Sequence, residues 1–323
     1  VSRAHPLPPA LSGRAFSVAE ARDHSVSPSR LRAADLERPT RGVRAPRPEA
    51  ADPPRDETNS RRLARLREEL LARAALFAPA LTADQFFSHD CGLALVGAPL
   101  PFTRASAREL HVSARRPAGE PRRAGVVGHR LQAREPARWA ARGLPIEHPA
   151  RMWRQAASLW QLDDLIAAGD FLVLPRNGLV TLDDLRREVE EAGDVAGGVL
   201  TRALSGIRVG AETAEETALR LAIVRAGLPE PCLNWTLRSA DGVFVARLDL
   251  AYPDYKVAVE HDGRTHAFDE QQFARDSDRW DAVASSGWRL VRVLSHHLHP
   301  DPSVAVRRAA DALVDAGWRP GAP

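Results

Sequence analysis

The chain has 323 residues, 44% of them hydrophobic and 27% charged, with a formal net charge of +3. That length allows two domains or three small ones, and no window approaches the ~18 apolar residues of a membrane helix. Two cysteines, Cys91 and Cys232, with no C-x-x-C pair, exclude a disulfide framework and a cysteine zinc site, and the opening residues lack the apolar run of a secretory signal. A reducing cytoplasm is the expected compartment. Charge is unevenly placed: residues 1–150 hold 25 arginines against 16 acids, whereas residues 151–323 hold 20 basic residues against 26 acids. A basic front half points to an anionic partner, most simply DNA, which would put the protein at the nucleoid.

Residues 1–12 read as a flexible lead-in. Ser17 with Glu20 forms the signature of a capping box and opens a short helix. Ser27-Pro28 then starts a second helix through about Asp35, which exposes Arg30 and Arg32. A basic stretch from Arg38 to Arg44, containing Arg41, follows around Gly42. Two short helices, a turn and a basic hairpin-like tail over 13–45 describe a winged helix-turn-helix; they also fit a helical hairpin that only docks on the rest. Residues 46–60 are rich in proline and charge and read as a linker.

An amphipathic Arg/Leu helix is predicted over 61–77, a short helix after Ser88, and strands near Leu110–Ser113 and Val126–His129. The hairpin loop between those strands carries Arg115, Arg116, Arg122 and Arg123, a patch that suits either phosphate contact or plain solvation. Helical pattern resumes from Pro149 to Asp170, with Leu165 and Ile166 in a core stripe, and again from Thr181 to Glu191. Residues 193–211, rich in Gly and Val, read as a second linker.

From Glu212 to Ala226 the pattern is helical. Two strands follow: Phe244, Ala246, Leu248 and Leu250 share one face, Val245, Arg247 and Asp249 the other, and a second strand runs Lys256–His261. With 252–255 as the turn, Asp249 lies opposite Ala258 and Arg247 opposite Glu260. Asp249 and Glu260 are then diagonal neighbours with Cβ atoms roughly 7 Å apart, a spacing for two carboxylates sharing a divalent cation. His296, His297 and His299 read as an exposed loop, and Trp280 and Trp288 as core.

R-L-D-L-A-Y-P (247–253), V-A-V-E-H-D-G-R-T-H (257–266), Q-F-A-R-D-S-D-R-W (272–280) and G-W-R-L-V-R-V (287–293) together resemble the very-short-patch-repair (Vsr)-like domain of the PD-(D/E)XK nuclease superfamily. The likeness spans about 212–315. The front, with F-S-H-D (87–90) and G-L-P-I-E-H-P-A-R (143–151), resembles AbiEi-type antitoxins of abortive-infection toxin–antitoxin systems. Together they imply a multidomain α+β and α/β chain: a winged helix-turn-helix, a mixed α/β middle region over 61–192, and a restriction-endonuclease-like α/β/α domain with a mixed central sheet over 212–317, then a short tail.

The resemblance further implies that Asp249 binds the metal, Mg²⁺ or Mn²⁺. Glu260 takes the second acidic position, where the repair enzyme has threonine. Glu216 matches the helical glutamate that orients water, His261 and His266 stand where histidines serve acid–base and phosphate roles, and Arg275, Asp276 and Arg279 brace the sheet or the site. One departure is plain: Asp262 stands where the superfamily has lysine. Lys256 lies too far up the strand to replace it, so Arg247 is the candidate substitute cation. The expected function is metal-dependent hydrolysis of DNA phosphodiesters. The alternatives are a non-catalytic antitoxin-like regulator, with a cognate toxin as partner, and a DNA-binding structural module.

Overall fold

The computed structural model describes residues 5–48, 59–101, 109–134, 139–195, 197–262 and 270–321, with the backbone alone for 59, 60 and 270–277. The chain divides into two compact units, Val1–Leu159 and Trp160–Pro323, so the break falls inside the segment expected as one middle region. Both units are mixed α/β, with eleven helices and twelve strands among the described residues.

In the first unit, β1 (Phe16–Ser17), β2 (Leu36–Glu37) and β3 (Val43–Pro46) form a small antiparallel sheet in the order β1-β3-β2. Ser17 caps α1 (Val18–Asp23) by accepting from the Glu20 N–H at 3.0 Å. Leu11, Phe16, Ala21, Val26, Leu31 and Leu36 make its core. Two expectations fail here. Residues 9–11 are not a loose lead-in but a 3₁₀ turn whose Leu11 is fully buried. The second helix is only a single 3₁₀ turn, Arg30–Arg32, because Arg30 is drawn onto Asp35 (2.7 Å) just after it.

The long helix α2 (Asn59–Phe77) is followed by a five-stranded sheet. Its strands are β4 (Gln85–Phe87), β5 (Leu110–Arg115), β6 (Val126–Leu131), β7 (Trp139–Ala141) and β8 (Leu144–Ile146), in the order β6-β5-β4-β8-β7. Strands β5 and β6 run parallel, so 116–125 crosses between strand ends instead of closing the expected hairpin. Helices α3 (His89–Val96) and α4 (Pro149–Ala156) pack together. Gly92 allows their approach: a Cβ there would sit 2.0 Å from Met152 Sδ.

The second unit opens with α5 (Leu162–Leu172), α6 (Leu182–Ala192) and α7 (Val199–Gly206). Helix α6 starts with a capping box between Thr181 and Asp184. The 193–211 segment is not a linker, since α7 buries Val199, Leu200 and Ala203. Next come α8 (Ala214–Arg225), β9 (Cys232–Arg238), β10 (Phe244–Tyr252), β11 (Val257–Asp262), α9 (Glu270–Ser285), β12 (Arg289–Leu294), α10 (Ser295–Leu298) and α11 (Ser303–Asp315). The sheet order is β12-β11-β10-β9, antiparallel except for the parallel pair β11–β12.

Helices cover both faces of this sheet. Leu219 and Ile223 of α8 and Ala305, Ala309 and Leu313 of α11 pack with Leu250, Val257, Val259 and Val291. On the other face, Val283 of α9 packs with Ala246, Leu248, Ala251, Ala258 and Trp288. Phe244, expected on the apolar face, is exposed beyond a register shift between Phe244 and Ala246. His297, expected in an exposed loop, is buried in α10 and its Nδ1 accepts from the Leu294 N–H at 3.1 Å.

A buried ion pair fixes α8 against α5. Asp170 accepts from Arg220 (2.9 Å), the Thr217 hydroxyl (2.8 Å) and the Arg208 N–H (2.7 Å). Both charged side chains are at most 2% exposed. Removing one partner strands a charge in a low-dielectric interior. Asp170→Ala is therefore expected to cost about 3–5 kcal/mol in urea unfolding, and Asp170→Ala with Arg220→Met is expected to recover part of it.

Candidate functional site

The chemistry expected of the second unit depends on how β10 and β11 pair. The turn between them is a 3₁₀ turn, Pro253–Tyr255, closed by Lys256 at φ 50. It therefore occupies 253–256, one residue later than expected, and Tyr252 already pairs with Val257. A turn displaced by one residue displaces the register by two. Leu250 faces Val259 at the end of the ladder, and Ala258 faces Ala251 instead of Asp249. Asp249 and Glu260 lie just past the end of the ladder, near enough for Glu260 to raise Asp249, and the His261 N–H donates to Asp249 Oδ2 at 3.2 Å. Strand β11 begins at Val257, which leaves Lys256 in the turn.

The same shift removes Arg247 from Glu260. Arg247 instead pairs with Glu212. The cation on Glu260 is Arg279 of α9, whose Nη2 and Nη1 donate to the two carboxylate oxygens at 2.5 and 3.0 Å. Arg279 Nη2 also donates to the Arg247 carbonyl at 2.7 Å, tying the helix to β10. Asp262, at the position of the superfamily lysine, pairs with Arg292, whose guanidinium stacks 3.7 Å over the Trp280 ring.

Glu216 approaches from α8. Thr213 caps this helix, accepting from the Glu216 N–H at 3.1 Å, while its hydroxyl donates to Glu216 Oε1 at 3.1 Å and the Glu212 N–H to Oε2 at 2.8 Å. Burial, with Asp249 nearby, pushes Glu216 up to about 7. Burial and the facing Glu260 push Asp249 up to about 6. Glu260 is also raised by burial, and Arg279 opposes that shift. The site is thus three buried or half-buried acids that do not all ionise readily without further positive charge. Such hard oxygen donors suit Mg²⁺ or Mn²⁺, which keep several waters and need few protein ligands. Asp249 and Glu260 are the residues that fit the ion, although Arg279 already uses one lone pair of each Glu260 oxygen.

His261 is half-buried, its pKa lowered by burial, with Nε2 3.5 Å from the Ser295 hydroxyl. His266 and the side chains of Arg275 and Asp276 lie outside what the structure describes. Among the arginines expected to meet DNA, Arg30 is tied to Asp35, and Arg44 donates to the carbonyls of Leu31 and Val43 at 2.8 Å. Arg115 pairs with Glu147 (2.9 Å) over the Phe86 ring. Arg32, Arg41, Arg116, Arg122 and Arg123 are exposed, and Arg123 Nη1 donates to the Arg41 carbonyl at 2.8 Å, which draws two of them together.

Arg279, expected through the resemblance to brace the sheet or the site, is the direct partner of Glu260, a pairing that an arginine in a polar helix does not announce in the sequence. Sequence reasoning missed a second constellation. Among the described residues, His89, His111 and His129 bring three ligand atoms within 4.8 Å of one another.

Over 103 residues the chain is 29% identical to two proteins of Mycobacterium tuberculosis, from strains CDC 1551 / Oshkosh and H37Rv, both described as uncharacterized. The match covers 32% of this chain and 38% of each relative, well under half the length of either. No family model and no solved structure matches the chain. Among the described residues no helix is long and apolar enough to cross a membrane.

The raised acids make stability depend on pH. Asp249 moves from 3.8 to about 6, so the folded chain binds its proton where the unfolded chain does not. Stability from this group is thus gained as pH falls through the folded value and is complete below the unfolded one. In chelator, the parent is expected to gain on the order of 2 kcal/mol relative to Asp249→Asn between about pH 8 and about pH 4. Urea midpoints across that range measure it; a constant difference between the two proteins would refute the crowding of these acids.

Proposed function

We propose that the second unit hydrolyses DNA phosphodiesters with Mg²⁺ or Mn²⁺ held by Asp249 and Glu260. The observation that carries this reading is the gathering of two acids, Asp249 and Glu260, at the end of the β10–β11 ladder, with a third, Glu216, raised to about 7 beside them. When bound, the ion supplies a Lewis acid for the phosphate and lowers the pKa of coordinated water. Glu216 titrates near neutrality, which suits holding or moving a proton at its carboxylate. Arg279 holds Glu260 in place, and His266 and His261 remain the acid–base candidates, as the likeness to the Vsr-like domain implies. The endonuclease-like fold and the winged helix-turn-helix belong to this proposal.

Duplex DNA is the proposed substrate and partner, met through phosphates by Arg32, Arg41, Arg116, Arg122 and Arg123 of the first unit. Each phosphate contact contributes about 0.9 to the slope of log K against log salt. Arg41→Gln with Arg123→Gln is therefore expected to lower that slope by about 2, read by fluorescence anisotropy over a salt series. An unchanged slope would remove these two residues from the interface.

A second reading is a non-catalytic, antitoxin-like regulator with a cognate toxin. It is favoured by Asp262, paired with Arg292, in place of the lysine, and by the guanidinium already seated on Glu260. Incubation of the full chain with supercoiled, mismatched and single-stranded DNA, with Mg²⁺, Mn²⁺ or chelator, separates the two. Cleavage is expected only with metal, and Asp249→Ala and Glu260→Ala should each abolish it along with the metal-induced rise in Tm. A folded parent that binds DNA, cuts none of these forms and gains no stability from metal would leave the regulator.

A further inference from the structure

We propose that the first unit binds one Zn²⁺ ion through His89, His111 and His129, with Asp90 orienting His111 from behind. The three ligands come from separate elements: His89 is the first residue of α3, His111 lies in β5 and His129 in β6. The parallel register pairs His111 with Val127 and Ser113 with His129, which sets the two strand histidines near one another. His89 is held at φ 51, a left-handed conformation uncommon for a residue with a side chain. The rings gather closely, with centroids 3.9 Å apart for His89–His129, 5.1 Å for His111–His129 and 5.2 Å for His89–His111.

Hydrogen bonds sort the nitrogens into ligating and supporting ones. Ser88 Oγ lies 2.9 Å from His89 Nδ1 and accepts from the Ser113 hydroxyl at 2.6 Å. A hydroxyl oxygen has two lone pairs, so Ser88 can accept from both, which leaves His89 Nε2 to ligate. His111 Nδ1 and His129 Nε2 are 2.9 Å apart, sharing a proton between two nitrogens. On the far side, His111 Nε2 lies 3.8 Å from Asp90 Oδ1, and both side chains are at most 5% exposed. A buried carboxylate at this distance favours a proton on His111 Nε2 by its charge, and a small closure would bring it into the carboxylate–histidine–metal arrangement.

Zinc–nitrogen bonds of about 2.0–2.1 Å put two tetrahedral ligands roughly 3.3 Å apart, so the His111–His129 pair needs to open by only a few tenths of an ångström. Binding puts the metal where the shared proton stood, and the neutral ring that gave up this proton carries one on its other nitrogen, so each imidazole keeps a single N–H. Imidazole donors without carboxylate in the inner set favour zinc over Mg²⁺ or Ca²⁺. Cys91 Sγ accepts from the His111 N–H at 3.0 Å and supports the strand instead of joining the set. Three protein nitrogens leave a fourth position for water, and half-buried His129 marks the side from which the ion enters.

The test uses the untagged full chain, stripped with chelator and titrated with Zn²⁺ and with Co²⁺ as a spectroscopic probe. One equivalent of Zn²⁺ should bind and raise Tm, and Co²⁺ should give the visible bands of a tetrahedral nitrogen site. His129→Gln, at a half-buried position that tolerates the change, should weaken binding at least tenfold, and Asp90→Asn by about 10–100-fold. Asp249→Asn with Glu260→Gln should leave Zn²⁺ binding unchanged, which separates this site from the acids of the second unit. A folded parent that takes up no Zn²⁺ overturns the proposal. So does binding that survives both His129→Gln and His89→Gln, or that is lost only in the acid variants.

Discussion

The second unit is organised around the ion pair of Asp170 and Arg220. One carboxylate collects a backbone N–H from the chain after α7, a hydroxyl and a guanidinium from α8, while Arg220 returns a hydrogen bond to the Gly206 carbonyl at 2.8 Å. Three helices are thereby referred to a single charged point. Burial raises the Asp170 carboxyl, and Arg220 with the other donors opposes that shift only in part. Such a pair contributes more to where α8 lies than to net stability. The position of α8 matters because its first turn presents Glu216 toward Asp249.

At the strands, like charges are brought together at a cost that the protein offsets only partly. Arg279 neutralises Glu260, Arg292 neutralises Asp262, and Arg247 is diverted to Glu212. Among the described residues no guanidinium pairs with Asp249, which accepts from the His261 N–H while Arg279 acts through space. The result is a graded set in which one acid is firmly paired and two stand close to neutrality in their titration. Gradation of this kind is the arrangement from which an acid–base couple or a cation site is built.

Much of this was legible in the sequence. The cap at Ser17, the helix that follows Thr181, the helix through 214–225 and the acids of β10 and β11 follow from local chemistry and alternation. The register did not follow, because a proline at 253 opens a turn that only the left-handed Lys256 closes, and a two-residue slip preserves every face. The partner of Asp249 was therefore wrong, and so was the shared face of Ala246, Leu248 and Leu250, since Leu250 packs with α8 and α11 while Ala246 and Leu248 pack with Val283 of α9. The second N-terminal helix was misread because Ser27-Pro28 is a sound start signal without enough following residues free to continue it. The histidine site was illegible for another reason: its members belong to a helix start and two parallel strands, and no short spacing announces a set assembled by topology.

Lys256, the residue that closes the β10–β11 turn, is exposed and is the sole lysine of the 323 residues. Everywhere else the positive charge is carried by arginine, which does not acylate under ordinary conditions. Side-chain amine chemistry on this protein is therefore confined to a single address, at the bend that fixes the partner of Asp249. With the α-amine blocked, a fluorophore or crosslinker placed there by an amine-directed reagent reads the hairpin beside which the two acids stand, with no engineered cysteine required.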